Sequence, residues 1–197
     1  MNSLADVIRF FQEQDDFIIV GHEHPDPDSL GSILGLYFGL TKLGKKCRAV
    51  SADPIPSNLS WPGLDKFEHI PTGFDASESC VVVLDAEPHR TGSIASGVMQ
   101  AQRLVNIDHH QRERGAGDVV YVNPQEAATS VIVYRLLLGL SIDLDLEIAT
   151  VLYGGIVGDT GGFRHANTTS EVFAIASELL RFGVQPAPIA REIFSSQ

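Results

Sequence analysis

Cysteine is scarce in this chain: Cys47 and Cys80 are the only two among 197 residues. Two thiols cannot build a disulfide framework, and they read as reduced core thiols of a cytoplasmic protein. Long apolar runs are missing too. No stretch approaches the ~18 apolar residues that a membrane-spanning helix needs. Met1 to Asp16 lacks the basic start, long apolar centre and small-residue cleavage site of a signal peptide. Basic residues are few: 14 Lys and Arg face 25 Asp and Glu, a formal net charge of −11. Such an acidic chain offers no broad groove for long nucleic acid, which needs clustered Lys and Arg. A small phosphorylated substrate stays open, because bound metal ions can invert the local sign. There is no Gly-x-Gly-x-x-Gly fingerprint, no Gly-x-x-x-x-Gly-Lys-Ser/Thr phosphate loop, no His-Glu-x-x-His helix and no Cys-x-x-Cys pair. Dinucleotide-binding folds, P-loop enzymes, common zinc proteases and zinc ribbons are thereby set aside.

What is present is an ordinary core. The apolar fraction is 44% and the charged fraction 20%, enough for one α/β domain. Ser3 to Gln14 predicts an amphipathic helix with Ser3 as its cap. Phe17–Val20, Arg48–Val50, Cys80–Leu84 and Leu104–Ile107 predict strands. Helices are expected over Ser29 to Leu43 with Gly44 as C-terminal cap, over Pro124 to Leu140, over Leu144 to Gly158, from Thr169 or Ser170 to Phe182, and over Pro186 to Phe194. Residues 53 to 63, with Pro54, Pro56 and Pro62, read as irregular loop. Strands alternating with helices imply an α/β fold with a mostly parallel sheet flanked by helices. Neither an internal repeat nor a low-complexity segment interrupts it. The polar Ser195-Ser196-Gln197 could open a linker.

Three of the strands run directly into acid and imidazole. The first leads into Gly21-His22-Glu23-His24-Pro25-Asp26-Pro27-Asp28, the second into Asp85, the third into Asp108-His109-His110. The carboxyl ends of parallel strands share one edge, where ligands bind. Like charges gathered there repel, so a cation is the natural partner. His24 and Asp26 precede proline and are expected to be extended. Asp26 and Asp28 could then face one centre, with His22 reaching it from the strand end. Helix capping by Asp28 and Ser29 is the competing explanation; it accounts for one acid and not for His22, Asp26 and Asp28 together. The helix N-terminus at Ser29 is also placed to receive a phosphate. Asp85 alone would pass for a turn residue. His109 and His110 end a buried strand on opposite faces and should do different work. A fourth segment, Gly158-Asp159-Thr160-Gly161-Gly162-Phe163, has the glycines for a tight turn that brings Asp159 inward.

Taken in order, His22-x-x-x-Asp26-x-Asp28-Ser29, Val83-Leu84-Asp85, Asp108-His109-His110 and Gly158-Asp159-Thr160-Gly161-Gly162-Phe163 resemble the four motifs of the DHH phosphoesterase superfamily. The set is most similar to its nano-RNase/pAp phosphatase group, with RecJ nucleases, cyclic-dinucleotide phosphodiesterases and family II pyrophosphatases as relatives. The likeness runs from about Phe17 to Phe194. It implies one metal ion on His22, Asp26 and Asp85 and a second on Asp28, Asp85, His109 and Asp159, with Asp85 bridging. It implies that His110 faces the substrate phosphate and that Asp108 orients a ligand, so that His110, Asp108 and Asp85 form the catalytic group. Imidazole mixed with carboxylate suits Mn2+, with Mg2+, Co2+ or Fe2+ as alternatives. The implied substrates are short oligoribonucleotides and 3′-phosphoadenosine 5′-phosphate. The competing readings are a cyclic-dinucleotide phosphodiesterase or inorganic pyrophosphatase of the same superfamily, and a non-catalytic nucleotide-binding regulatory module. A homodimer is a further expectation.

The sequence departs from the family pattern in three places. Pro27 stands where glycine is common, which stiffens the loop. His24 stands where asparagine is common, and its role is open between a substrate contact and an ordinary loop histidine. Residues 1–197 do not contain the Gly-Gly-His motif of the family's second lobe, so they are expected to correspond to the catalytic lobe alone. Arg90 and Arg164, just after Asp85 and Asp159, are either phosphate clamps or solvated surface arginines. Asn167 and Thr168 are weaker candidates for substrate contact.

Overall fold

Strands appear where short apolar runs can be covered on both faces, and the computed structural model, which describes residues 1–111 and 116–195, bears this out. Ser196 and Gln197 of the expected polar linker lie outside the described residues. The elements follow in the order α1 (Leu4–Glu13), β1 (Phe17–Val20), α2 (Pro27–Lys42), β2 (Cys47–Ser51), β3 (Phe67–His69), β4 (Cys80–Leu84), α3 (Ala95–Val98), β5 (Arg103–Asp108), β6 (Val119–Val122), α4 (Thr129–Gly139), α5 (Leu146–Asp159), α6 (Ser170–Leu180) and α7 (Pro186–Phe194), so the expected alternation holds through β2 and gives way to a run of four helices at the end. The six strands form one sheet in the order β3-β2-β1-β4-β5-β6, and every pairing is parallel.

The pleat divides the strand residues between two cores. Phe17, Ile19, Val82, Leu84, Val105 and Ile107 face α1, α2 and α4–α7 in the larger core. Ile18, Val20, Val81 and Val83 face the smaller one, which Ile94 and Val98 close. Period-two alternation between two covered faces is why these strands read as unbroken apolar runs. β3 and β6 were not anticipated. Both are edge strands, paired on one side only, and β3 is a polar three-residue piece. The free edge of β6 is covered by Asn2, whose N–H donates to Val120 O at 2.7 Å and whose Oδ1 accepts from Val120 N at 2.9 Å. Pairing of that edge with another chain is thereby blunted.

Three helix starts differ from the expectation; α5 begins at Leu146 rather than Leu144, with Asp145 as its cap. α2 begins at Pro27 rather than Ser29, because Asp26 is its cap: Asp26 Oδ1 accepts from Ser29 N at 2.9 Å. Proline suits the first helical position, where its missing N–H costs nothing. α4 begins at Thr129 rather than near Pro124, since Ala128 is extended and supplies no side-chain cap. The residues between β4 and α3 form short 3-10 turns, Pro88–Arg90 and Gly92–Ile94, that the sequence did not reveal.

The most intimate helix contact brings α2 against α5. A Cβ on Gly31 would collide with the carbonyl oxygen of Val151 and stand 3.1 Å from Gly155 N. Those are backbone atoms and cannot rotate away. Gly31→Ala is therefore expected to destabilise the domain by about 2 kcal/mol through overpacking, more than the about 1 kcal/mol that alanine gains in helix propensity. The net loss of about 1 kcal/mol should lower the melting temperature by about 2–4 °C; a thermal melt that rises instead would show that the two helices can part without loss.

Candidate functional site

Strands β1, β4 and β5 are neighbours, and their register places Val20 beside Val83 and Leu84 beside Ile107. His22, Asp85 and His109 therefore leave the sheet side by side. The strand order reverses between β1 and β4, which opens a crevice at their carboxyl ends.

Asp85 occupies the centre. Its φ is +58°, a left-handed conformation unusual for a residue with a side chain. Holding it there costs about 1–3 kcal/mol. Neighbours pin it: Asp85 N donates to Ile107 O at 3.0 Å, and Asn106 Nδ2 donates to Ala86 O at 2.6 Å. The Asp85 carboxylate is 3% exposed and accepts from Thr129 Oγ1 at 2.9 Å on Oδ1. Its Oδ2 lies 3.6 Å from His22 Nε2, and its Oδ1 lies 3.6 Å from His109 Nε2.

Donor atoms gather on either side of it. On one side are His22, Asp26 and Asp85; on the other are Asp28, His109 and Asp159. The donors of each group lie within 4.8 Å of one another. Asp26 and Asp28 reach opposite sides, not the single centre that an extended loop would have given them; the family resemblance already divided them between two ions. Asp26 is the helix cap outside α2, whereas Asp28 is in its first turn and fully buried. Asp28 accepts from Thr129 N at 2.6 Å and Ser130 N at 2.9 Å, so it caps α4 from another element. Both imidazoles are oriented from behind. His22 Nδ1 lies 2.7 Å from Glu23 O, and His109 Nδ1 lies 3.3 Å from Glu126 O. A carbonyl only accepts, so each Nδ1 carries the proton and each Nε2 turns toward the carboxylates.

These donors fit divalent cations. His109 Nε2 is buried without a hydrogen bond, although Asp159 Oδ2 is 2.9 Å away and out of line. Burial pushes the carboxyls of Asp28 and Asp85 above the usual range, and their charged neighbours raise Asp28 further. Burial opposes charge on His22 and His109 as well, but the surrounding carboxylates win and raise both to about 10. Without a cation, protons supply the positive charge that the crowd demands.

The remaining expected residues separate into supports and bystanders. His110 stands over the centre, half exposed; its Nδ1 is 2.8 Å and its N–H 3.0 Å from Asp108 Oδ1. Asp108 thus orients His110. Ser29 is fully buried, beneath the site rather than on its surface. Arg164 turns away: its Nε donates to Gly161 O at 2.6 Å, and its guanidinium lies 5.4 Å from the Phe194 ring centre. Arg90 is exposed, and its carbonyl accepts from Glu23 N at 2.9 Å. His24 is left-handed at φ +55°, not extended, because Asp53 captures its N–H at 2.7 Å. Asn167 Nδ2 donates to Asp159 O at 3.2 Å and to Ala127 O at 3.0 Å, supporting the backbone of Asp159. Thr168 has a buried hydroxyl. Thr129, Ser130, Asn106 and Glu126 escaped the sequence reading. A buried asparagine within the β5 run was the one available signal; the others lie in what reads as a plain helix.

The chain belongs to the DHH family: the N-terminal domain of that family matches residues 16–156. The family is one of metal-dependent phosphoesterases. The chain is 39% identical over 177 residues to the bifunctional oligoribonuclease and PAP phosphatase NrnA of Thermus thermophilus, covering 87% of this chain and 51% of that protein. It is 34% identical over 196 residues to a probable bifunctional oligoribonuclease and PAP phosphatase NrnA of Streptococcus mutans, covering 99% and 62%. Among solved structures, an exopolyphosphatase-related protein from Bacteroides fragilis superposes with a TM-score of 0.90 at 27% identity, covering 98% of this chain and 60% of that one. The chain thus spans between half and two thirds of the length of these proteins.

The raised pKa values give this centre a pH signature. In the cation-free protein His22 and His109 titrate near 10, above the ordinary 6.5. Their stabilisation is complete below about pH 6.5 and is lost as pH rises through 10. Asp28 and Asp85 are shifted upward too, so their ionisation works in the same direction. The melting temperature of cation-free protein should fall between pH 7 and 10, and Mn2+ should flatten the decline by replacing the protons. Melts across that range with and without Mn2+ check this; a flat cation-free curve would mean that protons do not hold the centre together.

Proposed function

We propose that this chain is the catalytic domain of a two-cation, manganese-type phosphoesterase acting on short oligoribonucleotides and on 3′-phosphoadenosine 5′-phosphate. The observation that carries the reading is the Asp85 carboxylate, with one oxygen toward each donor group. His22, Asp26 and Asp85 would hold one ion; Asp28, Asp85, His109 and Asp159 would hold the other. Four ligating carboxylates balance two divalent charges, and imidazole mixed with carboxylate favours Mn2+ over the harder Mg2+. The ions, when bound, would supply Lewis-acid polarisation of the phosphoryl oxygens and a water acidified toward neutrality.

The chain's own residues supply the rest. His110 Nδ1 keeps its proton on Asp108, and its half-exposed ring faces the crevice. It would donate to the phosphate and then to the departing oxygen, a role that the upward shift of its pKa by Asp108 favours. The acidic surface excludes long polyanions, so short substrates enter where the cations outweigh it. The resemblance to oligoribonuclease/PAP phosphatases supports the substrate class. Reduced Cys47 and Cys80 fit a cytoplasmic enzyme.

Hydrolysis assays with Mn2+ on short oligoribonucleotides, 3′-phosphoadenosine 5′-phosphate, a cyclic dinucleotide and pyrophosphate, run side by side, test the reading. The first two should turn over fastest; preference for either of the others would move the chain to another branch of the superfamily. Asp85→Ala should abolish turnover, a loss beyond the ~10–100-fold expected of a supporting residue, and should weaken Mn2+ uptake at both positions. Retained activity in the purified variant would refute the bridging role.

A further inference from the structure

We infer that Thr129 is a positioning residue of this centre, its hydroxyl setting the roll of the Asp85 carboxylate so that one oxygen faces each donor group. The inference rests on the two-cation reading above. Thr129 is fully buried at the first position of α4. Its Oγ1 donates to Asp85 Oδ1 at 2.9 Å, and its backbone N–H donates to Asp28 Oδ2 at 2.6 Å. One residue thus ties a carboxylate at the end of β4 to a carboxylate in the first turn of α2.

The hydroxyl has a separate task from the backbone. Asn106 and the Ile107 carbonyl fix the main chain on either side of Asp85, which settles where its Cβ stands. They leave the terminal torsion of the carboxylate free, and that torsion is intrinsically broad. Turned by a quarter, neither oxygen would face His22 and His109 together. Among the described residues, the Thr129 bond is the one hydrogen bond that ends on this carboxylate. It occupies one lone pair of Oδ1 and leaves the second for a cation. Helical threonines commonly turn the hydroxyl onto a carbonyl of the preceding turn. Thr129 has no preceding helical turn, so its hydroxyl reaches across to another element.

Thr129→Val tests this, because it keeps the branched shape and the N–H to Asp28 and removes the hydroxyl alone. Mn2+ titration of the purified chain, read by electron paramagnetic resonance, should give two sites in the wild type. The valine variant should lose ~10–100-fold in affinity at one or both sites, with an unchanged circular dichroism spectrum. Thr129→Ser should restore binding to near the wild-type level. If the valine variant does not fold, Thr129→Ala takes its place in the same titration. Unchanged binding in the variant lacking the hydroxyl, or failure of serine to rescue, overturns the role of Thr129 while leaving the two-cation centre standing. A wild type that takes up no second ion overturns the two-cation reading itself, and this inference with it.

Discussion

Carboxylates that water cannot reach must be answered by positive charge, and the carboxyl edge of this sheet is arranged around that demand. Asp28 is fully buried and Asp85 nearly so. Asp28 is answered by two N–H groups at the start of α4, where unpaired donors and the helix dipole favour an anion. Asp85 is answered by one hydroxyl and three imidazoles, those of His22, His109 and His110. Even with these partners, burial pushes both carboxyls above their usual range. Its mixed nitrogen and oxygen donors are consistent with binding a divalent cation.

Packing converts this demand into geometry. Asp28 rides on α2 and Asp159 on the end of α5, and the two helices approach so closely that no side chain is tolerated at Gly31. The distance between these two acids is therefore set by backbone contact rather than by flexible side chains. Asp85 is set differently, by a strained turn that Asn106 and Ile107 hold in place. Helices thus carry Asp28 and Asp159, while His22, Asp26, Asp85 and His109 stand on the segments that leave the strands. His110 is half exposed where His109 is buried, so adjacent residues divide between an outward and an inward role.

Much of the fold was legible because its strands are covered on both faces and read as apolar runs. The edges were not, since β3 and β6 owe their structure to a single partner strand. Arg90 and Arg164 illustrate the limit of proximity in sequence. Each follows a site aspartate closely, yet Arg164 lies over the Phe194 ring and Arg90 turns outward, because a helix or 3-10 turn rotates successive side chains away from one another. His24 reversed the expected backbone for a similar reason: a single hydrogen bond to Asp53, distant in sequence, outweighed the local preference before proline.

From the sequence alone came the acid and imidazole groups at the ends of consecutive strands, the family resemblance, and the parallel sheet that brings those ends together. Local chemistry sufficed for these, because strand periodicity and motif order are properties of neighbouring residues. Only the tertiary structure decided that α4 begins late with Asp28 as its cap and that Thr129 joins two carboxylates. Those outcomes depend on contacts between residues about a hundred positions apart, which close packing determines and local sequence does not encode.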